Sequence, residues 1–224
     1  MDGVKTIGFI MDGNRRWAHS RGLPTLEGHR AGFEKLKEVA RWSKDAGVGT
    51  TIFYAFSTEN WNRAKEEVGY LMELFEWALV NEFKKIMEED ARVLFIGDRA
   101  RFSTRIQELM VEVEQGSATN KSGNLVIAVS YGGRAEIVAA ASTLQEQGLP
   151  LTEENFSKAL WTGDIDHPDL VLRTGGEMRL SNFMPWQSTY SELFFSPTLW
   201  PDYTKEEFEQ LLAEFATRRR RFGK

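Results

Sequence analysis

Apolar and polar residues alternate along the chain with two different periods. Six short runs are apolar or β-branched, which is typical of buried strands; they cover residues 7–11, 51–56, 93–96, 125–129, 170–172 and 193–195. Four longer stretches carry apolar residues at helical spacing; they cover residues 30–46, 66–88, 135–147 and 205–221. Strands that alternate with helices predict an α/β fold whose mostly parallel sheet is covered on both faces.

Glycine or arginine follows nearly every predicted strand. The loops in question span residues 12–16, 57–63, 97–99, 131–134 and 173–179. Parallel sheets bind ligands beyond the carboxyl ends of their strands, so these loops meet at one predicted edge. Glycine permits tight turns, and arginine donates paired hydrogen bonds to phosphate oxygens. A phosphate-bearing ligand is therefore expected at this edge, with ordinary surface arginine as the alternative for any single loop.

The loop after the first strand combines Asp12 and Gly13 with Arg15 and Arg16. A helix start here would expose N–H groups that favour an anion. Aspartate repels a bare diphosphate unless a metal lies between them, and Mg²⁺ typically uses one or two carboxylates together with phosphate oxygens. Asp12 is thus a candidate metal ligand; the alternative is a helix N-cap, which leaves the arginine pair unexplained.

Arg173, Arg179 and Ser181 surround a glycine pair and form a second candidate anion site. Its distance in sequence from Asp12 indicates two diphosphates, and a tight turn with solvated charges is the alternative. Phe56 and Trp61 can cover an apolar or cationic group, because aromatic faces stabilise carbocations as they do ammonium ions. The alternative for residues 56–63 is a capping loop with core aromatics, and residues 66–88 read most simply as plain core.

Composition narrows the function further. The 224 residues suit one domain, predicted over residues 1–224. Cysteine is absent, which excludes disulfides, thiolate metal sites and a cysteine nucleophile, and the net charge of −5 argues against nucleic-acid binding. No signal peptide or apolar run of membrane-spanning length is found, so a cytoplasmic location is expected. His19 and His167 have no supporting context, and motifs for P-loop, dinucleotide, zincin and Asp-rich trans-prenyl enzymes are missing.

Several blocks together resemble one known family. They read MDGNRRWA at 11–18, GHRAG at 28–32, AFSTENWNR at 55–63, YGGR at 131–134, RTGGE at 173–177, WQ at 186–187, YSEL at 190–193 and RFG at 221–223. In this order they are similar to the signature blocks of the cis-prenyltransferases, above all bacterial undecaprenyl diphosphate synthases. The resemblance implies a six-stranded sheet with an apolar tunnel and a Mg²⁺-dependent enzyme that adds isopentenyl diphosphate to an allylic, usually farnesyl, diphosphate.

The resemblance also implies roles for individual residues. The allylic diphosphate would be bound by Gly13, Asn14, Arg15, Arg16, His29 and Arg63, and isopentenyl diphosphate by Arg173, Arg179, Ser181, Arg221 and Gly223. Metal positions match Asp12 and Glu192, catalytic positions match Asp12, Ser57, Asn60 and His29, and substrate-handling positions match Phe56, Trp61 and Glu177. Residues 221–223 would reach into the partner's site, which makes a homodimer functional.

The implied chemistry agrees with the residues. Mg²⁺ and arginines would stabilise the departing diphosphate, the isopentenyl double bond would attack the cation-like carbon, and Asn60, Ser57 or a diphosphate oxygen would take the proton. Residues 66–88 would then line the tunnel, and the product is expected near eleven units. Thr25 replaces an arginine and Thr6 a histidine common in relatives, and Arg21 is a candidate substitute for the missing arginine.

Two alternatives remain at this point. A non-catalytic prenyltransferase-like subunit would be expected to lack Asp12 or the terminal Arg-x-Gly, and both are present. A phosphate-ester binding domain would need neither an apolar tunnel nor a second anion site. Peripheral membrane contact through residues 218–221 is a further expectation, with service at the dimer contact as the simpler reading.

Overall fold

Six parallel strands form one sheet at the centre of the computed structural model, which describes residues 3–218. The strands are β1 (Thr6–Ile10), β2 (Thr50–Ser57), β3 (Arg92–Ile96), β4 (Asn124–Tyr131), β5 (Leu170–Arg173) and β6 (Glu192–Phe195). They lie in the order β3-β4-β2-β1-β5-β6, and every neighbouring pair is parallel. The predicted α/β fold and all six predicted strands are confirmed.

Helices flank this sheet. They are α1 (Asn14–Ser20), α2 (Thr25–Asp45), α3 (Lys65–Asn81), α4 (Phe83–Glu88), α5 (Thr104–Ser117), α6 (Gly133–Glu146), α7 (Glu153–Ala159) and α8 (Lys205–Thr217). The larger core joins one side of the strands to α2, α3, α4, α5 and α8, and its centre is the aromatic group Phe9, Phe53 and Trp200. Residues 183–184 cover the other side, and α6 and α7 share a smaller core.

The helix predicted over residues 66–88 is divided in two. Glu82 ends α3, and α4 begins at Phe83, which is fully buried. The Glu82 carboxylate is drawn inward by Lys37 and Lys85, whose ammonium groups lie 2.7 Å and 2.8 Å from its oxygens. Because apolar residues continue at helical spacing across this point, the sequence pattern alone hides the break.

Two helices were not predicted, although both carry start signals. Ser103 caps α5 by accepting a hydrogen bond from the Ile106 N–H, and Thr152 caps α7 in the same way. Helix α2 also begins earlier than expected, at Thr25, so that His29 lies inside the helix rather than before it. The predicted end of the last helix, residues 219–221, lies outside the described residues.

The topology explains where a site can form. The chain leaves β1 towards β2 on one side and later adds β5 on the other, so β1 stands where the strand order reverses. Ile10 at the end of β1 is level with Arg173 at the end of β5. The residues that follow β1 and β5 therefore meet at one edge of the sheet. Within residues 3–218, the structure contains no helix with the length and apolar character needed to cross a bilayer.

Candidate active site

Asp12 and Arg173 join the two predicted anion sites. The Asp12 Oδ2 atom accepts a hydrogen bond from Arg173 Nη2 at 2.8 Å, and Asp12 Oδ1 lies 3.2 Å from Arg16 Nη2. The Arg173 side chain is only 6% exposed, whereas that of Asp12 is 29% exposed and faces a cleft. Regions 161 residues apart in sequence are thus brought together by the parallel pairing of β1 with β5.

Arg173 also fixes the loop that follows β5. Its Nη1 atom donates to Ser181 Oγ and to the Arg179 carbonyl oxygen, both at 2.6 Å. Ser181 and Asn182 have positive φ angles of 47° and 67°, a strained backbone for residues other than glycine. Asn182 Nδ2 donates to Glu59 Oε1 at 2.9 Å, which ties this loop to the end of β2. The second predicted anion site is therefore a braced loop rather than a free turn.

A cleft of about 960 Å³ opens over the carboxyl edge of β1, β2 and β5. It is lined by Asp12, Gly13, Asn14, Arg15, Arg16, His29, Ser57, Asn60, Arg63, Arg173 and Ser181, all of them predicted site residues. It is also lined by residues that the sequence reading did not assign, among them His19, Tyr54, Glu59 and Asn182. Three of the five predicted loops thus supply the cleft.

The other two loops serve the fold. The Arg99 guanidinium binds the Glu114 carboxylate, with the closest atoms 2.6 Å apart, and the Phe95 carbonyl oxygen. In the loop after β4, the Arg134 N–H donates to Asn182 Oδ1, and this contact supports the braced loop from behind.

Ser57 and Asn60 hold each other in place at the end of β2. The Ser57 N–H donates to Asn60 Oδ1 at 3.1 Å, and the Ser57 side chain accepts from the Asn60 N–H, which makes a capping box. The pairing of β2 with β4 is irregular between Tyr54 and Ser57, and such bulges often re-aim side chains beside active sites. The capping interpretation is therefore confirmed for these two residues; both also line the cleft, and their catalytic role stays a prediction.

A partly buried charge cluster closes one side of the cleft. Glu67 Oε1 lies 3.1 Å from His29 Nε2 and 3.0 Å from Arg63 Nη1, and its other oxygen lies 4.0 Å from Arg15. Burial lowers the pKa of His29 and outweighs the hydrogen bond to Glu67, which raises it. For Glu67, burial alone would raise the pKa, but the His29 hydrogen bond and the charges of Arg63 and Arg15 lower it overall.

Phe56 and Trp61 are packed rather than open to the cleft. Their rings meet edge to face at 4.9 Å, and Trp61 Nε1 donates to Ser130 Oγ at 2.9 Å. Phe56 instead lines an apolar pocket of about 110 Å³, together with the α3 residues Leu71, Met72 and Phe75. Trp61 is not among the residues that line the cleft or this pocket, so its predicted substrate-handling role stays a prediction.

The apolar pocket adjoins the cleft, since both are lined by Met11, Asn14, His29, Ala55 and Leu71. Its volume is about 110 Å³. The structure therefore contains an apolar pocket against α3 and does not show the expected tunnel. The predicted position of the wall, on residues 66–88, agrees with the position of the pocket.

Some predicted residues lie away from the cleft. Glu192 is level with Leu170, the first residue of β5, so it sits at the opposite edge of the sheet and accepts a hydrogen bond from Arg218 at 2.7 Å. The structure therefore does not bring Glu192 together with Asp12 in one chain. The exposed side chains of Arg179 and Glu177 pair with each other beside the braced loop. Arg221 and Gly223 lie outside the described residues.

The residues near the cleft to which the sequence analysis assigned no role differ in how clearly the sequence indicates them. Glu67 stands four residues after Arg63, a spacing that favours an ion pair on a helix. Asn182 directly follows the predicted Ser181, and Tyr54 and Glu59 flank or belong to the block at 55–63. Arg21 is bound to Asp202 by two hydrogen bonds of 3.1 Å and 3.0 Å and stacks on Trp17, so in this structure it is not available as a substitute diphosphate ligand.

The fold and the cleft define a class of protein: a parallel α/β protein with an arginine-lined cleft at the strand-order reversal and an apolar pocket beside it. The model of the undecaprenyl diphosphate synthase family matches residues 10–223. The chain belongs to this family and is a cis-prenyltransferase, an enzyme that elongates prenyl diphosphates.

Individual relatives agree with this assignment. The chain is 42% identical over 222 residues to the isoprenyl transferase of Thermotoga maritima, covering 97% of this chain and 95% of that protein. It is 44% identical over 225 residues to a farnesyl-diphosphate-specific ditrans,polycis-undecaprenyl-diphosphate synthase of Pseudomonas syringae, covering 97% and 90%. The crystal structure of lavandulyl diphosphate synthase from Lavandula x intermedia with dimethylallyl diphosphate superposes with a TM-score of 0.94 at 34% identity, covering 99% of each chain.

Proposed function

We propose that this cis-prenyltransferase binds an allylic diphosphate and isopentenyl diphosphate side by side in the cleft and joins them with the help of Mg²⁺. The observation that carries the proposal is the Asp12–Arg173 contact of 2.8 Å, which places a carboxylate between the two predicted anion sites. We further propose that residues 1–224 act as one domain, because both cores lie against the same sheet.

The cleft suits a Mg²⁺ ion whose coordination is completed by oxygen atoms of the substrate. Residues 3–218 contain no cluster of three or more potential metal ligands, but Mg²⁺ often needs only one or two carboxylates when phosphate oxygens supply the rest. Asp12 provides the carboxylate. Asn14 Oδ1 is a buried oxygen for which the described chain offers no hydrogen-bond donor, so it is a second candidate. When bound, the metal would offset the charge of the departing diphosphate.

The positive groups divide between the two substrates. Arg15, Arg16, His29 and Arg63, with Gly13 and Asn14, surround the Asp12 side of the cleft and would hold the allylic diphosphate. Arg173 and Ser181 come from β5 and the loop after it and would hold isopentenyl diphosphate, and Arg179 could turn inward by exchanging Glu177 for phosphate. This division keeps the two diphosphates apart while Asp12 remains within reach of both.

The condensation needs a leaving group, a nucleophile and a proton acceptor. The allylic carbon–oxygen bond breaks with both electrons leaving on the diphosphate, and the isopentenyl double bond supplies the pair for the new carbon–carbon bond. The proton then lost must pass to an acceptor. Asn60 and Ser57 are both neutral hydrogen-bonding groups at the cleft, so they suit a relay, and a diphosphate oxygen suits the final acceptor.

Primer and product are proposed from the relatives. One relative is named as farnesyl-diphosphate specific and as an undecaprenyl diphosphate synthase, and we propose the same primer and an eleven-unit product for this chain. Burial of each added CH₂ contributes about 0.8 kcal/mol, so the growing chain favours an apolar wall such as α3. The pocket of about 110 Å³ has to widen to hold it.

Three further features complete the proposal. The enzyme acts as a homodimer in which Arg221 and Gly223 complete the partner's isopentenyl site. It works in the cytoplasm, with residues 218–221 able to touch anionic headgroups during product release. Glu192 remains a predicted metal ligand although it lies at the other sheet edge of its own chain.

The test is direct. The protein is incubated with labelled isopentenyl diphosphate, farnesyl diphosphate and Mg²⁺, and organic-soluble product is sized by mass spectrometry. The expected product has eleven units and disappears with a chelator. Absence of any organic-soluble product across several allylic primers would refute the proposal, and a short product would refute its chain length alone.

A further inference from the structure

Glu67 is the one carboxylate of the charge cluster that it forms with Arg15, His29 and Arg63. It is not among the residues assigned to the reaction. It lies in the first turn of α3 and contacts His29 from α2, Arg63 from the turn after β2 and Arg15 from α1. Its side chain is 12% exposed, and that of His29 is 8% exposed. All three partners line the cleft, whereas Glu67 lies behind them.

The charges of this cluster depend on one another. Glu67 is ionised near neutral pH because its pKa is lowered overall, and His29 is neutral because burial lowers its pKa. A neutral imidazole beside a carboxylate must donate to it, so the proton of His29 resides on Nε2 and leaves Nδ1 without one. Without Glu67, neither this tautomer nor the position of Arg63 is fixed by a contact that the structure describes.

An ion pair with a purely structural role would be expected away from the residues that line the cleft. Exposed pairs four residues apart on a helix contribute only about 0.3–0.5 kcal/mol. Glu67 instead accepts two hydrogen bonds at one partly buried oxygen from residues that line the cleft. His29 lines both the cleft and the apolar pocket, so the cluster stands where a diphosphate would give way to its prenyl chain.

We propose that Glu67 is a positioning residue for the allylic diphosphate: it aims Arg63 into the cleft and fixes His29 as the Nε2–H tautomer. This inference rests on the proposed allylic site. It predicts an effect on the binding of one substrate and not of the other, because Arg173 and Ser181 are held by contacts that do not include Glu67.

The test compares Glu67→Gln with Glu66→Gln, a matched loss of charge one residue earlier at an exposed position of the same helix. For Glu67→Gln, the KM for the allylic diphosphate should rise about tenfold, the scale of one charged hydrogen bond, while the KM for isopentenyl diphosphate changes by less than about threefold. Glu66→Gln should leave both values unchanged. In ¹⁵N NMR of the substrate-free wild type, His29 should be the Nε2–H tautomer, and Glu67→Gln should give a mixture.

The NMR measurement does not depend on turnover, so it separates this inference from the proposed function. A wild-type His29 protonated on Nδ1 alone would overturn the inference even if the enzyme is active and even if Glu67→Gln fails to fold. Equal rises of both KM values, or no rise of either, would also overturn it. Failure of the wild type to form product with any primer would refute the proposed function and leave the tautomer as the deciding result.

Discussion

Replacing Asp12 by asparagine should separate catalysis from folding. The substitution keeps an oxygen that can accept from Arg173 at the same place but removes the negative charge. The pair with Arg16 is half exposed and contributes little. The pair with Arg173 is better buried, and since a neutral acceptor remains, the expected loss of unfolding free energy is about 1 kcal/mol.

Turnover should fall far more than stability. If Asp12 holds the metal between the two diphosphates, its charge acts where negative charge develops, and removing such a group costs at least about a hundredfold in kcat. A factor of one hundred is about 2.7 kcal/mol on the barrier, more than twice the expected change in stability.

Two assays and one control variant test whether Asp12 acts in catalysis rather than in folding. Organic-soluble product is measured at saturating Mg²⁺, and unfolding is followed in denaturant. The control is Asp202→Asn, which removes the charge of another arginine-paired aspartate, bound to Arg21 outside the cleft lining. Near-normal turnover of Asp12→Asn, or equal losses in both variants, would refute the assigned role, as would unfolding of Asp12→Asn under assay conditions.

Three other predictions follow from the same contacts. Gly28→Ala should cost about 1–3 kcal/mol of stability by overpacking, measured in denaturant, because the new Cβ would lie 2.1 Å from the Asn14 carbonyl oxygen. Arg173→Ala and Arg179→Ala should raise the KM for isopentenyl diphosphate at least about tenfold and that for the allylic primer less, as steady-state kinetics will show. Burial above all raises the pKa of Glu136 from its ordinary value of 4.5, so its contribution to stability is present below that pH and is lost as the pH rises through the raised pKa; Glu136→Gln should lessen this loss as the pH rises above 4.5 in denaturant titrations.

Each of these has a result that contradicts it. Gly69→Ala is the control for Gly28→Ala, because its Cβ would meet open space on α3 and should stabilise by about 0.5–1 kcal/mol. Equal effects of both alanines would show that the α1–α2 approach is not what Gly28 protects. A larger rise for the allylic primer would exchange the two assigned sites, and an unchanged pH dependence in Glu136→Gln would show that another group causes it.

Much of the cleft was predictable because of parallel strand geometry. Once β1 and β5 are recognised as parallel neighbours, the residues that follow them must meet, which is why Asp12 and Arg173 were correctly expected to lie together. The pairing of β1 with β5 itself is not visible in the sequence, because neither strand carries a residue pattern that indicates which strand lies beside it. The blocks of the family indicated that both loops serve one active site, without indicating which strands are paired.

Glu192 lies apart from the other residues that the family resemblance assigns to the site. The cleft residues that come from the strands and from the loops after them lie at the carboxyl edge, whereas Glu192 opens β6 and therefore lies at the amino edge. The strand predicted over residues 193–195 already puts Glu192 at the amino edge. The family resemblance assigns Glu192 to the metal site from its motif alone, without regard to that position. Glu67 was missed for the opposite reason: its importance arises from three partners on three elements, and no local pattern joins them.

The apolar pocket shows which part of the fold has to yield during elongation. Its strand walls are fixed, since Phe56, Ile127 and Val129 are buried in a sheet paired on both sides. The α3 wall is looser: among its residues only Ala78 and Leu79 are fully buried. On the proposed elongation path, a prenyl chain that outgrows about 110 Å³ would therefore displace α3 at lower cost than the sheet. Glu67 lies at the start of that helix, so its proposed role at the diphosphate site would be coupled to the wall that the product would move.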